Sequence, residues 1–446
     1  MAQPTHLSAD VFLKQAMREM PIFRKFGSVT RINELSIESR GPKVSLGEVC
    51  EMRTDTGSRV SAEVVAIHND RVLLMPYGEC KGIATGSVVE ALDEQPSVAV
   101  GPGLLGRVVD AFGQAMDAGP ALHSLTQVPL QAKPINPLER ARIDTALETG
   151  IRVLDALLPV GRGQRVGIFA GSGVGKSSLM GMLARNMTAD VNVVALIGER
   201  GREVEEFVVN SLSAQARQRT VVVVATAEQP AVVRARAAYT ATAIAEYFRA
   251  QKQHVFLMMD SITRFAMARR EIDLAAGQPP TSRGYTPSVF SAIPALCERC
   301  GGLRDGGSIT AMYTVLVEGD DHNEPISDAL RATLDGHVVL SRDLANEGHF
   351  PAVDVLHSIS RLDTQLLSKT DMQRAQRMRA MLAVHGRQRE MVDMGLYKTG
   401  ANRDLDAALK CWPGITAFLR QELHDVSHAK ATRERMMLVL DEGHKA

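Results

Sequence analysis

Hydrophobic and polar positions change their pattern several times along this 446-residue chain. Residues 1–26 carry apolar side chains at helical spacing, which predicts an N-terminal helix. From residue 27 to 95, short apolar runs alternate with Gly, Asn-Asp and Pro signals, a pattern that predicts a small β-barrel. Residues 28–38 form the first of these runs and are interpreted as one strand.

Beyond residue 139, short apolar runs alternate with helical patterns, which is typical of an α/β core with a mainly parallel sheet. We assign this core to residues 139–362. Residues 96–138 are punctuated by Gly and Pro and are predicted to be a linker. Residues 363–446 turn helical and mixed in charge, which predicts a C-terminal helical domain. Within the core, strands are predicted at 165–169, 191–197, 219–226, 254–259, 308–317 and 337–341, with a helix at 230–250.

The most informative stretch is AGSGVGKSS at 170–178, between a predicted strand and a helix-favouring run. Strand, glycine-rich turn and helix form the context of a P-loop, whose backbone N–H groups hold a phosphate chain. Ala170 stands where the strict pattern has glycine, and alanine fits if its φ stays negative. An ordinary glycine turn is the alternative. The predicted nucleotide-binding residues are Gly171, Ser172, Gly173, Val174, Gly175, Lys176, Ser177 and Ser178.

Two carboxylates and two P-loop side chains are candidates for the chemistry. Lys176 would reach the outer phosphates, and the Ser177 hydroxyl would bind Mg²⁺. Asp260 ends the apolar run 254–259, where a carboxylate would help to hold Mg²⁺, although many buried strands end in an Asp that caps a helix. Glu199 follows the run 191–197 and could position the attacking water, but it could equally belong to a charged helix start.

Composition narrows the class of protein. Lys plus Arg and Asp plus Glu both number 51, which argues against a generally basic nucleic-acid binder. Tyr77 is the sole aromatic residue of the predicted barrel after Phe26, too few for a base-stacking platform. Five cysteines without a secreted-scaffold spacing favour a reducing compartment. With no signal peptide and no long apolar run, we expect a cytoplasmic protein with peripheral membrane contact only.

Two motifs are expected to be decoys. GPGLLG at 101–106 matches a dinucleotide-binding pattern, but a strand rather than a helix follows it, so no helix N-terminus is available for a pyrophosphate. Cys297 and Cys300 share one helix face, but no second pair with metal-ligand spacing accompanies them.

Longer strings carry a resemblance to a known family. The core resembles the catalytic subunits of rotary ATPases and their relatives that power type III protein export. The flagellar export ATPase is the nearest match and the injectisome ATPase is next, since GSVTRINELSIESRGPKVSLGEVC at 27–50 is similar to the flagellar branch. The strings that carry the core resemblance, besides the P-loop, are GERGREV at 198–204, MMDSITRFAMARREIDLAAGQPPTSRGYTPSVF at 258–290, GSITAMYTVLVEGDD at 307–321, LDGHVVLSR at 334–342 and HFPAVDVLHSISR at 349–361.

This resemblance implies specific roles for site residues. It implies that Glu199 activates water and that Arg361, at the end of the SxSR string, reaches the nucleotide site of a neighbouring subunit. A surface arginine in a loop is the alternative for Arg361. Phe350 stands where the family usually has the tyrosine of the adenine pocket, and Arg200 is also expected to line the site.

The resemblance also implies an assembly: a ring hexamer that hydrolyses ATP with Mg²⁺ at the cytoplasmic face of an inner-membrane export apparatus. Its expected partners are a regulator at the N-terminal region, a stalk-like protein in the pore, export-gate proteins and chaperone–cargo complexes, but no nucleic acid. Residues 283–287 and 301–307 are candidates for pore contacts. The alternatives are a ring helicase on single-stranded nucleic acid, an ATP synthase subunit and a non-catalytic nucleotide-binding partner.

Overall fold

The computed structural model describes residues 24–442, except Glu318, Asp320, His322 and Asn323. The chain divides into two compact units. The first holds the described residues up to Pro96 together with Ala275–Gly277, and the second holds the rest. The N-terminal helix predicted for residues 1–26 falls almost wholly outside the described residues, and Phe26 already begins the first strand.

The first unit contains a closed six-stranded barrel in the order β1-β2-β5-β4-β3-β6. Alternate side chains point inwards, for example Cys50 and Met52, because successive residues of a strand face opposite sides. The single strand predicted for residues 28–38 is wrong, because a turn closed by the Asn33 N–H and the Ser36 carbonyl divides it. The strands are Phe26–Ile32 (β1), Ile37–Arg40 (β2), Val49–Arg53 (β3), Arg59–His68 (β4), Arg71–Pro76 (β5) and Val88–Ala91 (β6).

The second unit is organised around a nine-stranded sheet. Its strands follow the order β17-β16-β10-β15-β13-β11-β12-β8, with β14 paired to β15, and only β17 and β14 run antiparallel to their neighbours. The strands of this unit are Ser97–Val100 (β7), Val108–Asp110 (β8), Thr126–Pro129 (β9), Arg165–Ala170 (β10), Val191–Glu199 (β11), Thr220–Thr226 (β12), His254–Asp260 (β13), Gly301–Gly302 (β14), Ser308–Leu316 (β15), Gly336–Leu340 (β16) and Val353–Ser360 (β17).

The six core strands that the sequence predicts are present, each within one or two residues of its predicted bounds. Because β10, β11 and β13 are parallel, their carboxyl ends meet at one edge of the sheet. This edge receives the P-loop, Glu199 and Asp260, as the sequence pattern requires.

The segment predicted as a linker, 96–138, differs from expectation. Its strand β8 pairs in parallel with β12 and so belongs to the core sheet, while β7 and β9 form a separate two-stranded ribbon. Val109 is fully buried there, which explains why a short apolar run joins the sheet despite its glycine-rich flanks. The GPGLLG stretch forms a 3-10 turn and leads into β8, as the sequence indicates.

The helices cover the sheet and then form the C-terminal domain. Apolar residues of the last three helices, such as Met378, Phe418 and Met436, share one buried cluster with Leu154 of the first. The helices are Arg152–Leu157 (α1), Lys176–Asn186 (α2), Gly201–Glu206 (α3), Ala214–Gln218 (α4), Ala231–Ala250 (α5), Ile262–Ala275 (α6), Pro287–Cys297 (α7), Pro325–Thr333 (α8), Arg342–Asn346 (α9), Asp363–Leu366 (α10), Lys369–Asp393 (α11), Arg403–Leu419 (α12) and Ala429–Glu442 (α13).

Among the residues described, no helix combines the length and the apolar character that crossing a bilayer would require.

Two glycines test how tightly the core is packed. A Cβ atom on Gly307 would lie 2.1 Å from the Gln253 carbonyl oxygen, so Gly307→Ala must displace backbone and should destabilise the protein by about 1–3 kcal/mol. A Cβ atom on Gly386, inside α11, would meet nothing within 4 Å, so Gly386→Ala should stabilise by roughly 0.5–1 kcal/mol. Thermal unfolding midpoints should move in opposite directions, and equal midpoints would contradict this packing.

Candidate nucleotide-binding and catalytic site

The glycine-rich loop has the backbone geometry of a phosphate cradle. Gly173 has φ 77° and Gly175 has φ 91°, in the left-handed region that favours glycine. Gly175 leads directly into α2, whose first N–H groups have no acceptor within the helix and can bind an anion. Ala170 closes β10 without a positive φ, so alanine fits the position where the strict pattern has glycine.

Lys176 joins the two predicted carboxylates. Its Nζ lies 2.5 Å from Asp260 Oδ1 and 3.3 Å from Glu199 Oε1. The three side chains are 13%, 6% and 12% exposed, so the ion pairs are shielded from water. The structure therefore brings together three residues from three segments that lie far apart in the sequence.

Burial and charge perturb all three groups. Burial raises the pKa of Asp260, and the Glu199 charge adds to this against the opposing Lys176 ammonium. Burial likewise raises the pKa of Glu199, which Lys176 lowers and the Glu203 carboxyl raises again. Burial alone would lower the pKa of Lys176, but the two carboxylates outweigh it and the net pKa is raised. The site thus keeps its lysine charged and makes Glu199 a stronger base than an exposed carboxylate.

Thr314 is a site residue that the sequence prediction missed. Its hydroxyl donates to Asp260 Oδ1 at 2.6 Å and fixes that carboxylate from the neighbouring strand. The parallel register, with Met259 opposite Tyr313, places the two residues side by side. The sequence does show a polar threonine inside the apolar run of β15. Only the register between β13 and β15 shows that its partner is Asp260.

A cavity of about 350 Å³ adjoins this cluster. Its lining includes Ser177, Glu199 and Asp260, together with Glu203 and Asn210. Its size, and the polar groups among its mixed polar and apolar walls, leave room for several ordered water molecules beside Glu199.

Phe350 borders the P-loop. Its ring carbons lie 3.3 Å from the position of a Cβ atom on Gly175, and 44% of the residue is exposed. An aromatic face is therefore presented beside the loop, where a base attached to bound phosphates could stack. The loop itself is held from the start of α9, since the Arg342 guanidinium donates to the Ser172 carbonyl at 3.1 Å.

The two remaining predicted residues are exposed, unlike the buried cluster around Lys176. Arg200 is 85% exposed and its guanidinium lies 3.8 Å from Glu203. Arg361 follows β17, which runs antiparallel, so the adjoining Ser360 pairs with Gly336 at the amino edge of the sheet. The P-loop lies at the carboxyl edge, about 16 Å away along β10. The Arg361 guanidinium donates to the Arg331 carbonyl at 2.8 Å in its own chain.

The donor set suits ATP with Mg²⁺. The Ser177 hydroxyl and the Asp260 carboxylate are hard oxygen ligands, and Mg²⁺ is commonly held by one or two such groups together with substrate phosphates. A cage of three or more His, Cys, Asp or Glu side chains does not occur among the described residues. Cys297 and Cys300 are buried in the core, where the Cys300 thiol lies 3.2 Å from the Tyr313 hydroxyl.

The β-barrel, the P-loop core and the helical domain follow one another in the order of the ATP synthase alpha/beta family of ATPases. Family models agree domain by domain. Residues 30–93 match the β-barrel domain of the ATP synthase alpha/beta family, and residues 150–360 match its nucleotide-binding domain. Residues 367–437 match the C-terminal domain of the type III secretion ATPase EscN.

Curated relatives are similar along nearly the whole chain. The flagellum-specific ATP synthase of Bacillus subtilis is 50% identical over 401 residues, which is 90% of this chain and 91% of the relative. The Salmonella typhimurium protein of that name is 47% identical over 92% of both chains. The type 3 secretion system ATPase of Xanthomonas euvesicatoria is 45% identical over 96% of this chain and 97% of its own length.

Solved structures show the same likeness. The assembled ATPase EscN of the enteropathogenic E. coli type III secretion system superposes with a TM-score of 0.89 at 41% identity, over 93% of this chain and 100% of EscN. EscN in complex with its central stalk EscO gives a TM-score of 0.85.

The chain therefore belongs to the family of type III export ATPases, which comprises the flagellum-specific and the type 3 secretion enzymes. It is an ATP hydrolase of the ATP synthase alpha/beta superfamily, and the relatives compared give no support to the helicase alternative.

Thr314→Val tests whether the buried carboxylate holds magnesium. The substitution keeps the side-chain shape and removes a hydrogen bond to a charged group, which is worth about 1.5–3 kcal/mol. The Mg²⁺ concentration that gives half-maximal ATPase activity should rise about tenfold or more. Thr333→Val is the matched control, because its hydroxyl donates only to the Ala329 carbonyl of its own helix. An unchanged magnesium dependence for Thr314→Val would contradict this role of Asp260.

Proposed function

We propose that this chain hydrolyses MgATP at the Lys176 site as part of a homohexameric ring, and that the reaction drives flagellar type III protein export. The observation that best supports this proposal is the buried contact of Lys176 Nζ with Asp260 and Glu199 beside a helix N-terminus. An ammonium held between two carboxylates is poised to exchange one of them for phosphate oxygens.

The triphosphate would lie along the loop from Gly171 to Ser178. Backbone N–H groups of the loop and of the first turn of α2 would donate to its oxygens, while Lys176 would bind the outer phosphates. Ser177 and Asp260 would hold Mg²⁺, which would supply positive charge at the phosphates during transfer. Phe350 would stack on the adenine.

Glu199 is assigned the role of general base. Its carboxylate would accept a proton from a water molecule in the adjoining cavity as that water's oxygen bonds to the γ-phosphorus. The bond between the γ-phosphorus and the bridging oxygen breaks, and the electron pair leaves with ADP. The raised pKa of Glu199, caused first by burial, makes it a better proton acceptor near neutral pH.

The position of Arg361 supports a role in a neighbouring subunit. It lies at the opposite edge of the sheet from its own P-loop, so it cannot reach a γ-phosphate bound there. In a ring, one subunit's amino edge can face the next subunit's nucleotide, where a guanidinium would neutralise developing charge. Arg200, one residue from Glu199 and exposed, is proposed to line the same interface.

The flagellar branch is favoured over the injectisome on two grounds. The N-terminal string at 27–50 is similar to that branch, and the Bacillus and Salmonella relatives carry flagellum-specific names. Injectisome secretion is the second candidate, because the Xanthomonas relative is nearly as similar.

The proposed partners are those expected for a type III export ATPase. A central stalk is proposed as a partner, which the complex of EscN with its stalk EscO supports. Residues 283–287 and 301–307 are proposed to contact the stalk in the pore. A regulator would bind the N-terminal region, and export-gate proteins with chaperone–cargo complexes would place the ring at the cytoplasmic face of the membrane. No nucleic acid is expected.

Glu199→Gln tests the proposed base. Glutamine keeps the shape and a hydrogen-bonding oxygen but cannot take up the proton, so kcat should fall by about 10²–10⁴-fold. Nucleotide affinity should stay within a few fold, because the phosphate cradle is intact. Glu205→Gln, an exposed position on α3, is the matched control and should retain full turnover. Near-normal turnover of Glu199→Gln would contradict this role and would mean that another residue activates the attacking water.

Mixed rings test the role of Arg361. Arg361→Ala and Glu199→Gln should each form rings with little ATPase activity. Combined in one ring, an Arg361→Ala subunit keeps its own base and receives an intact arginine from a Glu199→Gln neighbour, so activity should return. Arg387→Ala, an exposed position on α11, should be fully active alone. Mixed rings that stay inactive while wild-type subunits still assemble and turn over would contradict action across the interface.

A further inference from the structure

The segment between α12 and α13, residues 420–428, contains a buried amide that no role described so far explains. We call this segment the connector. Gln421 is 5% exposed, and its side chain makes three hydrogen bonds. Its Oε1 accepts from the Arg152 N–H at 2.9 Å, while its Nε2 donates to the carbonyls of Gly150 at 2.7 Å and Asp425 at 2.9 Å.

The backbone of Gln421 reaches the edge of the nucleotide site. Its N–H donates to the carbonyl of Phe350 at 2.9 Å. Phe350 presents its exposed ring beside Gly175 of the P-loop, so the height of that ring above the loop depends on where its backbone is held. One residue therefore ties the start of α1 to the aromatic residue that faces the base.

Further contacts make the connector a fixed support rather than a loose loop. The Arg152 guanidinium donates to the carbonyls of Phe418 and Arg420 on either side of the end of α12. On the other side of the connector, Arg185 of the P-loop helix donates to the Leu423 carbonyl at 2.6 Å and to the Ser211 carbonyl at 2.9 Å. The connector is thereby bonded both to the segment that carries Phe350 and to the helix that follows the P-loop.

We propose that Gln421 is a positioning residue that sets adenine affinity by holding Phe350 at the correct distance from the P-loop. The proposal rests on the proposed function, in which Phe350 stacks on the base. Gln421 contacts neither Lys176, Glu199 nor Asp260, so it should affect ground-state and transition-state binding of the nucleotide equally. Such an interaction changes KM and leaves kcat nearly constant.

Gln421→Met tests this directly in the full-length protein. Methionine has a similar length and is apolar, so it fills the site but cannot bond to Gly150 or Arg152. The KM for ATP should rise about tenfold, as expected when buried hydrogen bonds are lost, while kcat stays within about twofold. Gln373→Met, at an exposed position on α11, is the matched control and should leave both constants unchanged.

A ligand that lacks the adenine base distinguishes an effect on the position of Phe350 from a general effect on the structure of the site. Inorganic tripolyphosphate uses only the phosphate cradle, so its dissociation constant should be the same for the wild type and Gln421→Met. Equal weakening of ATP and tripolyphosphate, or an unchanged KM for ATP, would overturn the role of Gln421.

A second variant and a double-mutant cycle keep the proposal testable if Gln421→Met does not fold. If Gln421→Met is insoluble, Gln421→Asn retains the amide but is one methylene too short to keep all three bonds, and the same KM rise is expected. In a Phe350→Ala background, either Gln421 variant should add no further loss of ATP affinity, and an additive loss would overturn the proposal. A wild-type chain without ATP turnover would contradict the proposed function itself, whereas normal wild-type turnover with an unaffected variant contradicts only this role.

Discussion

One buried ammonium between two carboxylates is the constraint on which this site depends. Lys176 is paired with Asp260 and Glu199 at the edge of the sheet, in a place where each group is largely withdrawn from water. Two negative charges and one positive charge leave the cluster with an excess of negative charge, and burial raises the pKa of both carboxyls. A magnesium ion would supply the positive charge that such a cluster lacks and would let Lys176 turn to the triphosphate, which explains why substrate and metal would bind together.

The sheet divides the catalytic parts between its two edges. Parallel strands place the P-loop, Glu199 as the proposed base and Asp260 as the proposed magnesium ligand at the carboxyl edge, whereas the antiparallel β17 carries Arg361 to the amino edge. A single subunit therefore cannot bring Arg361 to its own P-loop. With the proposed role of Arg361, hydrolysis would depend on a neighbouring subunit, which would couple turnover to an assembled ring.

Much of this could be predicted from sequence because the signals are local. The P-loop, the apolar strand that ends in Asp260 and the charged turn after β11 were each found in a few residues. Contacts between distant parts of the chain could not be predicted in this way. Strand β8 joins the sheet through a three-residue run among glycines, and only the strand register brings Thr314 beside Asp260. Gln421 gave no signal at all, since its partners outside the connector lie some 70 and 270 residues away. The prediction of one strand for residues 28–38 was wrong because an Asn-centred turn interrupts an otherwise β-like run.

Calorimetry of nucleotide binding tests the central claim most directly. A non-hydrolysable ATP analogue titrated into the purified chain should give a saturable heat, and the affinity should rise when Mg²⁺ is present, because the metal offsets the carboxylates around Lys176. No detectable heat at millimolar nucleotide, with or without Mg²⁺, would mean that the glycine loop is only a turn between a strand and a helix.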